Sequence, residues 1–351
     1  MLTNEGRTIR VGAALVNETL RNLLDDIWYG RHPARLLLMP CSWLYRTIVA
    51  LRRRVYQSRL LNVYRAPVPV IVVGNITVGG TGKTPLVIWI ARKLQEYGFK
   101  PGIVARGYRG AARNWPQQVR ADSDPVAVGD EAVLLARRTG LPVAVGPQRS
   151  ADIVALLKHA GVDIIVCDDG LQHYALARDI EIAVLDGVRR YGNGACLPAG
   201  PLREPATRLQ NIDLMVTNGL AARGEFAMRY LAARAHRVGN AGESVALAEF
   251  ADKTVHAVAA IGNPASFFEL LKRNGFRITQ HVFPDHHLFT RDDLAFGDNQ
   301  AVMLTEKDAV KCEHFTDLRL WYVPIEVELP DVFERRFKTL LQEVFDGQKI
   351  A

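Results

Sequence analysis

Residues 68–85 constrain the fold more tightly than any other stretch of the chain. Val68-Pro-Val-Ile-Val-Val-Gly74 is an apolar, β-branched run that reads as a buried strand. It passes into Asn75-Ile-Thr-Val-Gly79-Gly80-Thr81-Gly82-Lys83-Thr84-Pro85, and Leu86 to Tyr97 reads as a helix. Glycines let the backbone of Gly79, Gly80, Thr81 and Gly82 curl with its N–H groups turned inward, a nest for phosphate oxygens. A helix beginning at that point adds the positive end of its dipole. In such a loop Lys83 reaches the β/γ phosphates of a nucleotide and the Thr84 hydroxyl ligates Mg²⁺. Pro85 is compatible with a first helical turn, which needs no N–H partner there.

The rest of the chain supports a nucleotide-binding α/β fold. Apolar runs at 102–105, 143–145, 162–167, 180–185 and 212–217 alternate with helical stretches, including 131–138 and 151–159. Near-continuous apolar strands separated by helices predict a parallel sheet covered on both faces. Such sheets bind ligands beyond the carboxyl ends of their strands. The run Ile164-Ile-Val-Cys167 ends in Asp168-Asp169-Gly170, where a carboxylate beside a phosphate loop holds Mg²⁺ directly or through water. Two adjacent aspartates repel each other unless a cation sits there. A block rich in Ala, Arg and Gly at 221–242 opens a second region, either a smaller α/β lobe or a continuation of the same sheet. Strand-like runs at 255–260, 301–304 and 320–323 follow, with helices at 265–274 and 332–345. The expected domains are a basic helical segment over 1–66, a core over 67–220 and a smaller α/β lobe over 221–351. Four widely spaced cysteines, Cys41, Cys167, Cys196 and Cys312, exclude a disulfide scaffold and a thiolate zinc site.

The charge is concentrated at one end. Residues 1–66 hold eleven arginines, no lysine and four acids, which accounts for the entire net charge of +7. Apolar residues lie among those arginines, and Trp28, Trp43 and Tyr45 sit beside them. The uncharged run 36–45 is too short to cross a bilayer, and Pro40 and Arg46 argue further against a span. Amphipathic helices lying on an anionic membrane surface fit this mix. A helical hairpin packed on the domain with a solvated arginine face fits it too. No recognised nucleic-acid-binding motif accompanies the basic residues, so no nucleic-acid partner is expected.

Several motifs follow one another along the chain: residues 74–85, Ala105-Arg-Gly-Tyr108, Val128-Gly-Asp-Glu131, Asp168-Asp-Gly-Leu-Gln-His173, Leu197-Pro-Ala-Gly-Pro-Leu-Arg-Glu-Pro205, Gly262-Asn-Pro264, Phe283-Pro-Asp-His-His287 and Thr305-Glu-Lys-Asp308. In this order they resemble the tetraacyldisaccharide 4'-kinase family, the lipid A 4'-kinases of Gram-negative envelope biosynthesis. The resemblance runs from about residue 66 to near the C-terminus. It implies ATP- and Mg²⁺-dependent phosphorylation of the 4'-hydroxyl of a tetraacylated, 1-phosphorylated glucosamine disaccharide at the cytoplasmic face of the inner membrane. No obligate protein partner is implied. The implied fold is a P-loop core of MinD-like type with a smaller second lobe. The run 79–84 is similar to the deviant GGxGK[ST] loop of that class, with Val78 where its members usually carry a lysine and Thr77 where the commoner loop has glycine. A MinD-like regulatory ATPase is the competing function.

The remaining site candidates divide by source. On the residues alone, Asp130 reads as a helix N-cap; the resemblance makes it the base that activates the acceptor, paired with His286 or His287. Arg203 and Glu204 lie in a loop stiffened by Pro198, Pro201 and Pro205, which would aim the arginine at phosphate. Arg106 and Tyr108 follow a strand end and would receive the acceptor; Gln172 and His173, beside the aspartate pair, are further substrate candidates, His173 alternatively orienting the metal shell or a phosphate. Asn263 is a candidate contact to the nucleotide or to the acceptor headgroup. Lys307 and Asp308 are either structural or line the nucleotide pocket.

Overall fold

A computed structural model describes residues 22–108 and 110–350; the start of the basic segment, with Arg7 and Arg10, lies outside them. The chain divides into two compact units. One comprises residues up to 61 with 76–78 and 188–211; the other comprises 62–75, 79–187 and 212 onward.

The first unit is organised by helix α1 (Ala34–Gln57), which contains Pro40 without ending there. Its inner face grips the proline-rich loop: the Ser42 hydroxyl donates to the Cys196 carbonyl at 2.7 Å and the Tyr45 hydroxyl to the Arg203 carbonyl at 3.1 Å. Trp28 Nε1 donates to the Pro198 carbonyl at 2.9 Å. Backbone bonds from Val78 to Pro201 and from Arg203 to Ile76 fasten the loop to residues 76–78. The outer face is apolar and solvent-exposed at helical spacing, with Leu37, Leu44, Ile48 and Leu51 each more than half exposed. Arg35, Arg46, Arg52 and Arg54 are exposed along the same helix. No helix among the described residues is long and apolar enough to cross a membrane.

The second unit carries two sheets. The larger is built from β1 (Val70–Gly74), β2 (Pro101–Ala105), β3 (Gln117–Val119), β4 (Val143–Val145), β5 (Ile164–Asp168), β6 (Ile180–Asp186), β7 (Leu214–Asn218), β8 (Phe226–Leu231) and β15 (Glu326–Glu328). Their order is β15-β8-β7-β6-β1-β5-β2-β4-β3, with parallel pairing from β8 through β4. Every residue of β1 and β5 is buried, as expected for strands covered on both faces. Helices α2 (Lys83–Glu96), α3 (Asp130–Thr139) and α4 (Arg149–Ala160) follow β1, β3 and β4 in the chain.

The smaller sheet has the order β10-β9-β14-β13-β11-β12. It comprises β9 (Arg234–Arg237), β10 (Asn240–Ala246), β11 (Thr254–Ala259), β12 (Arg277–Val282), β13 (Val302–Thr305) and β14 (Leu320–Val323). Helix α5 (Pro264–Arg273) covers it with Phe267, Phe268 and Leu271, and a single turn, α6 (Glu306–Ala309), follows β13. The closing helix α7 (Asp331–Ile350) returns to the larger sheet, burying Phe333 and Phe337 in one core with Ile71, Ile90 and Val216. Residues 221–351 supply two strands and a covering helix to the larger sheet as well as the whole of the smaller one, so they combine a small α/β lobe with a continuation of the larger sheet.

Candidate active site

The glycine loop leaves β1 and enters α2 with the conformations that its composition dictates. Gly79 and Gly82 hold φ of 108° and 93°, a region that L side chains avoid. A Cβ on Gly82 would also lie 2.0 Å from the Tyr230 hydroxyl. Gly82 is the N-cap, and no side chain among the described residues caps α2 there. The Gly262-Asn263 turn packs backbone to backbone on the loop, since a Cβ on Gly262 would stand 2.6 Å from the Gly80 nitrogen. Asn263 Nδ2 donates to Asp186 Oδ2 at 3.0 Å at the end of β6, which brings this candidate to the loop. Lys83 Nζ donates to Asn75 Oδ1 at 3.2 Å and stands 3.5 Å from Asp169 Oδ1. Thr84 follows in the first turn of α2.

The parallel pairing of β1 with β5 sets Asp168 beside Val73, at the root of the loop. Asp168 is buried, and one of its oxygens has no hydrogen-bond partner among the described residues. Burial pushes its carboxyl up to about 7; the charges of Glu131 and Asp169 add to the rise, against Lys83 and Arg149. Asp169 turns the chain through φ 50°. Gln172 Nε2 donates back to the Asn75 carbonyl at 3.0 Å, and Arg178 pins the turn by donating to the Leu171 and His173 carbonyls. An unsatisfied buried carboxylate oxygen, a second aspartate and the Thr84 hydroxyl form an all-oxygen donor set that fits Mg²⁺. No cluster of three His, Cys, Asp or Glu suited to a metal occurs among the described residues, so the rest of such a shell would come from water and phosphate.

The second half of the site is an aspartate–histidine pair. Asp130 is the first residue of α3, while Gly129 occupies the cap position. Its side chain is buried, and both carboxylate oxygens stand 3.0 Å from His286 Nδ1. Burial alone would push its carboxyl up. The hydrogen bond from His286 and the charges of Lys307, His286 and Lys311 overrule burial and bring it down to about 2. His287 faces elsewhere: its Nε2 lies 3.1 Å from Asp293, and its ring stacks on Phe283. Of the two histidines left open by the sequence, His286 is therefore the one that pairs with Asp130.

Tyr108 lies beyond β2, half-exposed, with its ring centroid 5.3 Å from that of His286. Arg106, two residues earlier, is exposed. Arg203 and Glu204 belong to the first unit, where Glu204 is buried 3.7 Å from Arg208. Lys307 is drawn to the Asp130–His286 pair. Its ammonium donates to Glu131 Oε1 at 2.9 Å and to Asp285 Oδ1 at 3.1 Å, against the Asp130–His286 pair. Lys311, absent from the sequence candidates, stands 3.8 Å from Asp130 Oδ2. The only sequence signal for it is its place one helical turn beyond Lys307.

A phosphate loop on a parallel sheet, a buried strand-end carboxylate beside it and an Asp–His pair in the same unit define a P-loop phosphotransferase. A family model described as tetraacyldisaccharide-1-P 4'-kinase matches residues 34–343, and the chain belongs to that family. It is similar to the tetraacyldisaccharide 4'-kinase of Nitrosococcus oceani, 52% identical over 92% of this chain and 95% of the relative. It is also similar to that of Methylobacillus flagellatus, 46% identical over 95% of this chain and 100% of the relative. Among solved structures it resembles LpxK from Aquifex aeolicus in complex with ATP. That likeness has a TM-score of 0.73 at 26% identity, covering 89% of this chain and 99% of the other.

Proposed function

We propose that the chain transfers the γ-phosphoryl group of ATP to the 4'-hydroxyl of tetraacyldisaccharide 1-phosphate, with Asp130 as the group that receives the hydroxyl proton. The observation that carries this reading is the pairing of an ionised Asp130 with His286 in the same unit as the Lys83 loop. The acceptor oxygen bonds to the γ-phosphorus as the bond to the β,γ-bridging oxygen breaks. That electron pair leaves with ADP, and the acceptor proton passes to Asp130. A carboxylate held down to about 2 is a weak base. It suits a loose phosphoryl-transfer transition state, in which orienting the nucleophile matters more than early deprotonation. Lys83 and the N–H groups of the loop and of α2 bind the β/γ phosphates. Thr84, Asp168 and Asp169 would hold Mg²⁺, which neutralises charge developing on the phosphates. Tyr108, beside His286, and Arg106 are assigned to the acceptor, as are Gln172 and His173 from the turn after β5. Arg203 and Glu204 are assigned to the transferring phosphate.

The exposed apolar stripe of α1 is the proposed contact with the cytoplasmic leaflet of the inner membrane, because a four-chain lipid does not leave the bilayer readily. Transfer of labelled γ-phosphate to the lipid acceptor tests the whole reading. Wild-type protein should label the acceptor, while Lys83→Ala and Asp130→Ala should not. ATP hydrolysis by the wild type without transfer would instead favour a nucleotide-dependent switch. Replacing Leu44 and Ile48 by Asp should lower sedimentation with anionic vesicles and leave ATP binding intact; unchanged sedimentation would remove the membrane assignment.

A further inference from the structure

We infer that Lys307 is a positioning residue for the Asp130–His286 pair: its ammonium makes His286 Nε2 a hydrogen-bond acceptor and so commits the Nδ1–H to Asp130. This deepens the reading above and rests on it.

The geometry leaves little alternative. Lys307 Nζ lies 2.9 Å from Glu131 Oε1, 3.1 Å from Asp285 Oδ1 and 3.4 Å from His286 Nε2. An ammonium has three protons and no acceptor capacity, and here three acceptors surround it. The proton position on an imidazole follows from the bond that its other nitrogen makes. An Nε2 that accepts from Lys307 requires the proton on Nδ1, where it meets both Asp130 oxygens. Asp285 Oδ1 also approaches Nε2, at 3.6 Å, but it is the more distant neighbour and already accepts from Lys307.

Backbone ties fix these positions. Thr305 caps the turn α6, its Oγ1 accepting from the Asp308 N–H at 3.2 Å. Asp308 Oδ2 accepts the Ala260 N–H at 2.8 Å, while the Ala260 carbonyl accepts the His286 N–H at 3.2 Å. The turn bearing Lys307 and the turn bearing His286 therefore hang from one residue at the end of β11. That anchoring sustains the left-handed backbone of His286, φ 64°. Lys311 completes the arrangement from the next turn, bonded to Asp308 Oδ1 at 2.8 Å.

The test uses full-length protein labelled with ¹⁵N-histidine, with His286→Asn assigning the signals. Two-bond ¹H–¹⁵N spectra of the wild type should give His286 a protonated Nδ1 and a pyridine-like Nε2. Lys307→Met should shift the pattern toward the other tautomer. It should also lower kcat roughly 10–100-fold, the cost of losing a partner that orients a metal-ligating histidine being the nearest guide, and leave KM for ATP within about twofold. Lys307→Arg, which keeps a cationic donor, should stay closer to the wild-type tautomer pattern than Lys307→Met. A wild-type Nε2–H tautomer, or a folded Lys307→Met or Lys307→Gln protein with unchanged spectrum and turnover, would overturn the inference. Asp130→Ala and His286→Asn separate this from the underlying reading. If both keep wild-type transfer, the pair itself is misassigned. If both lose it while the Lys307 variants do not change, only the role of Lys307 fails.

Discussion

Asp130 and Asp168 are both buried, both belong to the unit that carries the glycine loop, and Glu131 lies near each; yet their protonation is driven in opposite directions. Around Asp130 the protein supplies its own cations, Lys307 and Lys311, and a hydrogen-bonding imidazole. Around Asp168 it supplies burial and two further carboxylates, opposed by Lys83 and Arg149, and leaves one oxygen without a partner. The first carboxylate is completed by the fold. The second we assign to a cation brought in with the substrate, because one of its oxygens has no partner among the described residues. Burial therefore does not define a functional carboxylate by itself; the charges arranged around it decide whether it orients a hydroxyl or receives a cation.

Exchanging each aspartate for its amide breaks the comparison most directly. Asp168→Asn should cost about 10³-fold in phosphoryl transfer, in the range for removing a group that stabilises transition-state charge, and should blunt the response to Mg²⁺. Asp130→Asn should cost roughly 10²–10³-fold, within the span of general base contributions, and leave the Mg²⁺ titration where it was. If the two variants show the same Mg²⁺ dependence, the division of roles is wrong.

The pH dependence sharpens the same contrast. With the Asp168 carboxyl raised to about 7, a cation must displace its proton below that pH. Apparent Mg²⁺ affinity should then fall about tenfold per pH unit between 7 and 5, read from activity against Mg²⁺ concentration at each pH. Asp130 should contribute nothing to that slope. Its folded pKa lies below the unfolded value, so its stabilising contribution is present above about 4 and is lost only as pH falls toward about 2. A flat Mg²⁺ affinity across this window would contradict the assignment of Asp168.

The sequence made the phosphate-loop end of this contrast legible and left much of the other obscure. Loop, helix and strand-end aspartates lie in two short runs whose chemistry is local, so Gly79 to Thr84 and Asp168-Asp169 could be read from composition and spacing. The central strands were equally plain, because burial on both faces makes them continuously apolar. The edge strands were not. Arg277-Ile-Thr-Gln-His-Val282 is largely exposed at the rim of its sheet and carries no apolar run to mark it. Nor did the block at 221–242 announce β8, β9 and the start of β10, where arginines and glycines hide the pairing. The Asp130 pocket draws on residues 130–131, 285–286 and 307–311, which only the tertiary fold brings together. Choosing His286 over His287, and placing Lys307 on that pair, required the register of β11 and the turns that hang from it.

The smallest expected effect tests the contrast away from the chemistry. Asp152, in the first turn of α4, is fully buried, and neither oxygen has a hydrogen-bond partner among the described residues. Arg149 stands 3.8 Å away, but its guanidinium is engaged with the Ala105 and Gly146 carbonyls. Burial pushes the Asp152 carboxyl up to about 7, with Arg149 only partly opposing. Its folded pKa thus exceeds the unfolded value, so the folded state binds the extra proton between about 4 and 7 and loses stability as pH rises through that window. Asp152→Asn removes the ionisation. At pH 8 it should raise the melting temperature by about 1–3 °C, the shift that ~1 kcal/mol produces in a chain of this size, and at pH 5 it should change little. Thermal melts of both proteins across pH 5–8, without Mg²⁺, read this directly. Equal slopes would mean that Asp152 ionises at no cost, and that a buried carboxylate without a hydrogen-bond partner, opposed by Arg149 as Asp168 is, says less about function than the comparison with Asp130 claims.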